Sequence, residues 1–120
     1  MSAPSLHRPA FMTIQSSSDF QRIARQGKKW VGSSFIMQVL HTGPSAPCRF
    51  GLTVSRRVGN AVMRNRAKRR LREVIRTSPV LPDLKSIDVV LIAKTSAIDS
   101  DFQRMKDDFA KGLKTVGALS

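Results

Sequence analysis

Arginine side chains are concentrated in the stretch RVGNAVMRNRAKRRLREVIR, residues 57–76. The stretch contains seven arginines and one lysine, and Glu73 is its only acid. The planar guanidinium group of arginine can donate two hydrogen bonds to one phosphate and can stack on a nucleic-acid base. These residue types, at this density, predict the binding of a polyanion rather than the making or breaking of a covalent bond.

The charge of the whole chain points the same way. Lysine and arginine outnumber aspartate and glutamate by 21 to 8 in 120 residues, which gives a formal net charge of +13. A surface with this excess attracts phosphate strongly and in a salt-dependent manner. The length suits one domain, and we expect an irregular N-terminal segment at residues 1–15 followed by a single nucleic-acid-binding domain at residues 16–120.

A helix over residues 61–76 would present these cations together. At about 100° per residue, its apolar side chains fall on one arc that can dock on a core. The residues of this arc are Met63, Ala67, Leu71, Val74 and Ile75. Arg64, Lys68, Arg72 and Arg76 follow one another at intervals of four beside the arc. Like charges at this spacing repel each other, so the pattern favours an anion-binding face over a merely solvated one.

Helices and strands on either side must hold this helix in place. A first helix is predicted from Ser18, as its N-cap, to a stop at Gly27, and a last helix begins with Ser100 as its N-cap. The turn between the first two long strands contains proline and glycine, which indicates an antiparallel hairpin. The predicted strands cover residues 30–42, 49–55 and 86–94, with a possible short strand near 28–31, and the last helix covers 100–116.

Alternation along the first two long strands separates a core face from an open face. The side chains expected in the core are Phe35, Met37, Val39, Phe50, Leu52 and Val54. On the open face, the small side chains of Gly51 and Thr53 leave room for nucleotides. Phe20 of the first helix could stack on a base, although plain packing of a short helix explains the same residue equally well.

The sequence offers little for catalysis. Four acids surround the start of the last helix, Asp99, Asp101, Asp107 and Asp108, and a self-sufficient metal-dependent nuclease would have to use them. Negative charge at a helix N-terminus is the simpler explanation. His7 and His41 have no evident partners, so we expect no catalytic residue and no metal site in the chain.

The remaining features concern the cellular compartment. Cys48 is the only cysteine, so an intramolecular disulfide is impossible, and a reducing compartment is indicated. The sequence contains no apolar run long enough for a signal peptide or a membrane span. We therefore expect a cytoplasmic protein without a membrane partner.

The stretch GLTVSRRVGNAVMRNRAKRRLREVIR, residues 51–76, resembles the signature of the protein component of bacterial ribonuclease P. That family is marked by a strand ending in Val-Ser and two basic residues, then Gly-Asn-Ala-Val, Arg-Asn-Arg and Lys-Arg. SSDFQRIARQG, residues 17–27, is similar to the family's first helix and its closing glycine. The resemblance covers roughly residues 15–116.

The resemblance implies an α/β, more narrowly α+β, fold: a two-layer αβββαβα sandwich with a mixed four-stranded sheet and a left-handed βαβ crossover. It implies a protein subunit whose partners are the catalytic RNA of ribonuclease P and the 5′ leader of precursor tRNA, and not DNA. The catalytic RNA is its cofactor, together with Mg²⁺ bound mainly by that RNA. The holoenzyme, an endoribonuclease, removes the leader during tRNA 5′ maturation.

The resemblance also assigns two binding surfaces. The residues expected to bind the catalytic RNA are Arg64, Asn65, Arg66, Lys68, Arg69 and Arg72. Those expected to bind the leader, in a cleft between the sheet and the first helix, are Phe20, Ile36, Gln38, Arg49, Thr53, Arg56 and Arg57. Gln38 and Ala24 stand where many relatives carry an aromatic residue, which shifts weight from base stacking to the arginines. A general RNA-binding or ribosome-associated protein of similar fold, with no role in cleavage, is the alternative.

Overall fold

A mixed five-stranded sheet with three helices makes up the fold of the computed structural model, which describes residues 11–44 and 46–119. Within these residues, no helix is both long enough and apolar enough to cross a membrane. The strands are β1 (Met12–Thr13), β2 (Lys28–Val31), β3 (Phe35–His41), β4 (Arg49–Thr53) and β5 (Ile87–Ala93). The helices are α1 (Ser17–Gln26), α2 (Ala61–Arg76) and α3 (Phe102–Thr115), with short 3₁₀ helices at Arg56–Val58, Leu81–Asp83 and Thr95–Ile98.

The sheet order is β1-β4-β5-β3-β2. β4 runs parallel to β1 and β5, whereas β3 is antiparallel to β5 and β2. The basic helix α2 therefore connects two adjacent parallel strands, as the family resemblance implied. The predicted hairpin between β3 and β4 is wrong, because β5 lies between them; β3 forms its hairpin with β2 instead.

The sheet has five strands rather than the four expected. The additional strand, β1, lies in the segment predicted to be irregular and has only two residues, too few to produce a periodic sequence pattern. Its neighbours are nevertheless anchored. Ile14 is buried and donates a backbone hydrogen bond to the Phe50 carbonyl at 2.8 Å, and the Phe11 ring meets the Phe50 ring edge-on at 5.2 Å.

The main core lies between the sheet and the pair α2 and α3. The β3 side chains predicted to face it, Phe35, Met37 and Val39, are fully buried, and Phe50 of β4 joins them. These strands meet the apolar sides of the two helices. The helical residues in the core are Ala67, Leu71, Val74 and Ile75 from α2 and Met105, Phe109 and Leu113 from α3. On the opposite face, α1 forms a second, much smaller cluster with the sheet.

The basic helix has the predicted bounds, residues 61–76. Its N-cap is Asn60, whose side-chain oxygen accepts a hydrogen bond from the Met63 amide at 3.0 Å. Four of the five residues predicted for its apolar arc are buried. Met63, in the first turn, is the exception at 45% exposed.

The N-caps predicted for the other two helices are wrong by one or two residues. Ser16, not Ser18, accepts from the Asp19 amide, and Asp101, not Ser100, accepts from the Arg104 amide. The Ser100 hydroxyl donates to the Ser96 carbonyl instead. Because all these side chains are good caps, the local sequence could not distinguish between them.

The predicted helix stop at Gly27 is confirmed, although its backbone is extended rather than left-handed. A Cβ atom at this position would lie 2.6 Å from the Ile23 carbonyl oxygen and 2.9 Å from that of Val39. Close approach of α1 to β3 is therefore the reason for glycine here.

Candidate nucleic-acid interface

The outward face of α2 carries a group of cations and one amide side chain. Asn65, Arg69 and Arg72 are exposed and Lys68 is half-buried. Among the residues that the structure describes, none of these three cations forms an ion pair. Since the opposite side of the helix is locked into the core, this face is held rigidly with its positive charge facing solvent.

Two predicted RNA-binding arginines on α2 also make contacts within the protein. Arg64 Nη1 donates to the Gly59 carbonyl at 3.0 Å, and Arg66 Nε donates to the Ile98 carbonyl at 2.8 Å. Both acceptors are uncharged, so the positive charge of each guanidinium remains available to a polyanion. The two side chains thus hold α2 against neighbouring backbone segments and still contribute to the positive electrostatic potential of the helix surface.

Arg70 has a structural role that the sequence analysis missed. Its guanidinium donates to the Ala97 carbonyl at 3.0 Å and to the Ser100 carbonyl at 2.5 Å. Together with Arg66, it fastens α2 to the connection between β5 and α3. A local sequence pattern could not reveal this contact, because the acceptors lie about thirty residues away in the chain.

Arg56 and Arg57 belong to the segment of chain that connects β4 to α2. They belong to the 3₁₀ turn that follows β4, and both side chains are exposed. No acid in the described part of the chain forms an ion pair with either of them. The cationic surface therefore extends from α2 to the end of β4.

The open face of the sheet brings three of the predicted leader-binding residues together. Thr53 pairs with Ile92, which pairs in turn with Ile36, so these side chains form one row across three strands. Gln38 belongs to the next row, in register with Val90. Thr53 is exposed, whereas Ile36, Ile92 and Gln38 are half-buried.

Phe20 of α1 closes one side of this face. A Cβ atom on Gly51 would lie 2.6 Å from Cε1 of the Phe20 ring, so the ring rests directly on the glycine. The room expected for nucleotides above Gly51 is therefore occupied by Phe20, and that expectation was wrong. The ring is half-buried beside the row that contains Thr53, and packing and partial exposure coexist at this position.

Arg49 differs from the other predicted contact residues because its guanidinium is paired with acids. Nε and Nη2 donate to the two carboxylate oxygens of Asp88 at 2.9 and 2.7 Å, and Nη1 donates to Asp19 at 3.3 Å. These hydrogen bonds, chiefly those to Asp88, raise the pKa of Arg49. The positive charge of Arg49 is therefore largely neutralised within the protein, whereas Arg56 and Arg57 form no ion pair with a described acid.

Three of the four acids considered for catalysis make structural hydrogen bonds within the protein. Asp101 caps α3, Asp107 accepts from the Gln103 side chain, and Asp108 accepts from the amide and hydroxyl of Ser33. The described residues contain no group of three or more histidine, cysteine or acidic side chains that could hold a metal ion. Burial raises the pKa of Cys48 to about 12, so its thiol stays protonated.

The sequence is similar to one known protein family over most of its length. Residues 9–117 match the sequence model of the Ribonuclease P family. The chain is 39% identical over 109 residues to the ribonuclease P protein component of Ruegeria pomeroyi, a match that covers 88% of this chain and 86% of that one. It is 34% identical over 104 residues to that of Gluconacetobacter diazotrophicus, covering 87% and 90%.

Solved structures show the same architecture. The ribonuclease P protein of Staphylococcus aureus superposes with a TM-score of 0.75 at 27% sequence identity, covering 90% of this chain and 97% of that one. The Thermotoga maritima protein superposes with a TM-score of 0.67 at 24% identity, covering 90% and 97%, and at this identity the likeness concerns the fold alone.

Proposed function

The chain belongs to the ribonuclease P protein family and is the protein component of that endoribonuclease, and on this premise we propose which of its surfaces binds which RNA. The outward face of α2 binds the catalytic RNA. The open face of the sheet, with the turn after β4, binds the 5′ leader of precursor tRNA.

The proposal for α2 is carried by one observation, the exposed cations that have no acid partner in the described structure. Arg69 and Arg72 are free to donate two hydrogen bonds each to phosphate, and the amide of Asn65, one turn before Arg69, can hydrogen-bond to a base edge or a ribose. Because the helix is already docked on the core, little conformational entropy is lost when RNA binds.

The proposal for the leader rests on the row of Thr53, Ile92 and Ile36. A shallow, partly apolar surface without fixed base-reading groups suits a single strand of any sequence, with Arg56 and Arg57 near its phosphates. Phe20 borders the row and offers the exposed part of its ring to one base. Gln38 can donate or accept a hydrogen bond from the next row.

The role of the protein is then electrostatic. It reduces repulsion between two polyanions, the catalytic RNA and the precursor, and so lowers the concentration of Mg²⁺ that they require. The catalytic RNA carries the chemistry and binds most of the Mg²⁺. We place this assembly in the cytoplasm, in agreement with the single cysteine of the chain.

Reconstitution with a cognate catalytic RNA tests the proposal. Across a Mg²⁺ series, the protein should restore precursor cleavage at low Mg²⁺ and have little effect at high Mg²⁺. A precursor with a full leader should bind the holoenzyme more tightly than one whose leader is a single nucleotide. Equal affinities would contradict leader binding and favour a general RNA-binding role.

Two sets of substitutions separate the surfaces. Changing Arg69 and Arg72 to methionine should weaken assembly with the catalytic RNA. Changing Arg56 and Arg57 to methionine should leave assembly nearly intact and weaken the binding of leader-bearing precursor. If both double variants had the same effect on both measurements, the division into two surfaces would be wrong.

A further inference from the structure

Four charged side chains on the open face of the sheet form a closed, electrically neutral cluster. Arg49 of β4 holds both carboxylate oxygens of Asp88 of β5 and one oxygen of Asp19 of α1. Arg22 lies one turn further along α1, and its Nη2 atom is 3.2 Å from Oδ1 of Asp19 and 3.6 Å from Oδ2 of Asp88. Acids and arginines thus alternate around a ring, with two members on α1 and two on the sheet.

This ring is a substantial part of what holds α1 in place. Within the described part of the chain, the apolar cluster under the helix contains only three buried residues, Ile14, Ile23 and Val90. A contact made only by apolar side chains permits small shifts, because it has no preferred direction. Hydrogen bonds to a carboxylate whose side chain is 1% exposed fix both distance and angle.

Stability alone does not account for the ring. Desolvation of a buried charge costs about as much as the pairing returns, so an ion pair of this kind is often replaceable by apolar residues without loss of stability. What apolar residues cannot supply is a single orientation of one element on another. The ring therefore points to a demand for accuracy in the position of α1.

We propose that Asp88 and Arg49 are positioning residues for substrate binding. They fix α1 on the sheet so that the Phe20 ring stays on Gly51, beside the row that contains Thr53. This inference rests on the proposed binding of the leader to that row. It gives Arg49 a different role from the phosphate contact that its sequence position implied.

Chain geometry links the ring to the substrate surface over a short distance. Asp19 immediately precedes Phe20 on α1, and Gly51 follows Arg49 by two residues on β4, on the same face of the strand. A shift of α1 that breaks the hydrogen bond between Asp19 and Arg49 therefore moves the Phe20 ring off Gly51. Such a shift would also obstruct the neighbouring row.

The double variant Arg49→Met/Asp88→Leu tests this directly. It removes both sheet members of the ring at once, so no buried charge is left without a partner, and Arg22 and Asp19 can still pair with each other. The Gly51 Hα that takes the place of a Cβ points at Cε1 and Cζ of the Phe20 ring, and its resonance should show a ring-current shift in the NMR spectrum of the parent protein. In the double variant this shift should diminish, and amide exchange in α1 should accelerate while that in β3 stays slow.

The functional measurement uses the reconstituted holoenzyme. Affinity for a precursor with a full leader should fall by roughly tenfold, the size of one lost base-stacking contact. Affinity for a precursor with a one-nucleotide leader, and the cleavage rate at saturation, should not change. A purely structural defect would lower all three together.

A matched control removes an ion pair elsewhere. Arg76→Met/Glu73→Leu deletes a pair with two hydrogen bonds of 2.8 and 2.7 Å at the exposed end of α2. It should leave the Gly51 resonances and leader affinity at parent values. Should the double variant at positions 49 and 88 fold poorly, Asp19→Asn, at a partly exposed position, should produce the same changes at smaller amplitude.

The outcomes distinguish the inference from the proposed function. If the parent prefers the full leader and the double variant keeps both that preference and the Gly51 shift, the positioning role is wrong and leader binding stands. If the parent shows no leader preference, the proposed leader surface is wrong, and the positioning role for substrate falls with it. Loss of the shift together with the preference supports the inference.

Discussion

The outward face of α2 and the ring beneath α1 are both rich in arginine, yet they use it in opposite ways. On α2, Arg69 and Arg72 have no acid partner among the described residues. In the ring, Arg22 and Arg49 share their charge with Asp19 and Asp88. The number of cations in a segment therefore does not reveal its function; what matters is whether an acid lies within reach in the folded chain.

We expect the largest effect on stability from substitution of the buried carboxylate, Asp88. Asp88→Asn removes the charge that neutralises Arg49 inside the protein, and we expect it to cost about 3–5 kcal/mol in the free energy of unfolding. Glu73→Gln, which breaks the exposed pair with Arg76, should cost less than about 1 kcal/mol. Urea denaturation of the two variants measures both values, and similar costs would remove the distinction between the two regions.

The same distinction explains how much of the molecule could be predicted from sequence. The bounds of α2 and the core face of β3 follow from periodicity, which is a local property, and both were predicted correctly. The pairing of β4 with β5 brings together residues 39 positions apart, Arg49 and Asp88, and no local pattern contains that information. For this reason the hairpin prediction failed, and the pairing of Arg49 with Asp88 was not predicted.

Assembly with the catalytic RNA should show the reverse order of effects. Arg69→Met removes one proposed phosphate contact, so we expect affinity to fall by about tenfold and the salt dependence of binding to decrease by about one unit of slope. Arg22→Met, in the ring, should change neither quantity. Binding is measured with the RNA alone across a salt series, without precursor tRNA, and a reduced slope for Arg22→Met would indicate that the ring also contacts the RNA.

Arg66 lies between the two extremes, because it carries a free charge and also donates to the Ile98 carbonyl. Arg66→Met should therefore weaken RNA binding and lower the free energy of unfolding by about 1 kcal/mol, the net value of one internal hydrogen bond. Arg69→Met, with no such bond, should change stability by less than about 0.5 kcal/mol. Thermal or urea unfolding of the RNA-free proteins separates them, and equal stabilities would mean that the Arg66 contact contributes nothing to the fold.

The smallest effect concerns the pH dependence of the exposed pair on α2. Hydrogen bonds from Arg76 lower the pKa of Glu73 below its ordinary value of 4.5. Because the folded state favours the ionised carboxylate, the stabilisation is complete above pH 4.5 and is lost as the pH falls through the lowered pKa. As the pH falls from 4.5 through the lowered pKa of Glu73, the unfolding free energy of the parent should decrease more than that of Glu73→Gln. We expect the difference between the two decreases to be less than about 0.5 kcal/mol.

A larger difference would mean that pairing alone, without burial, stabilises this protein. A small difference would mean that an arginine–carboxylate pair stabilises this protein only where it is buried. Glu73 and Asp88 each accept two hydrogen bonds from one guanidinium, so their pairing geometry is nearly the same. Their side chains are 48% and 1% exposed. If only Asp88 proves costly to change, then exclusion of water is what makes an arginine pair structural, and arginines that stay in water remain available to RNA.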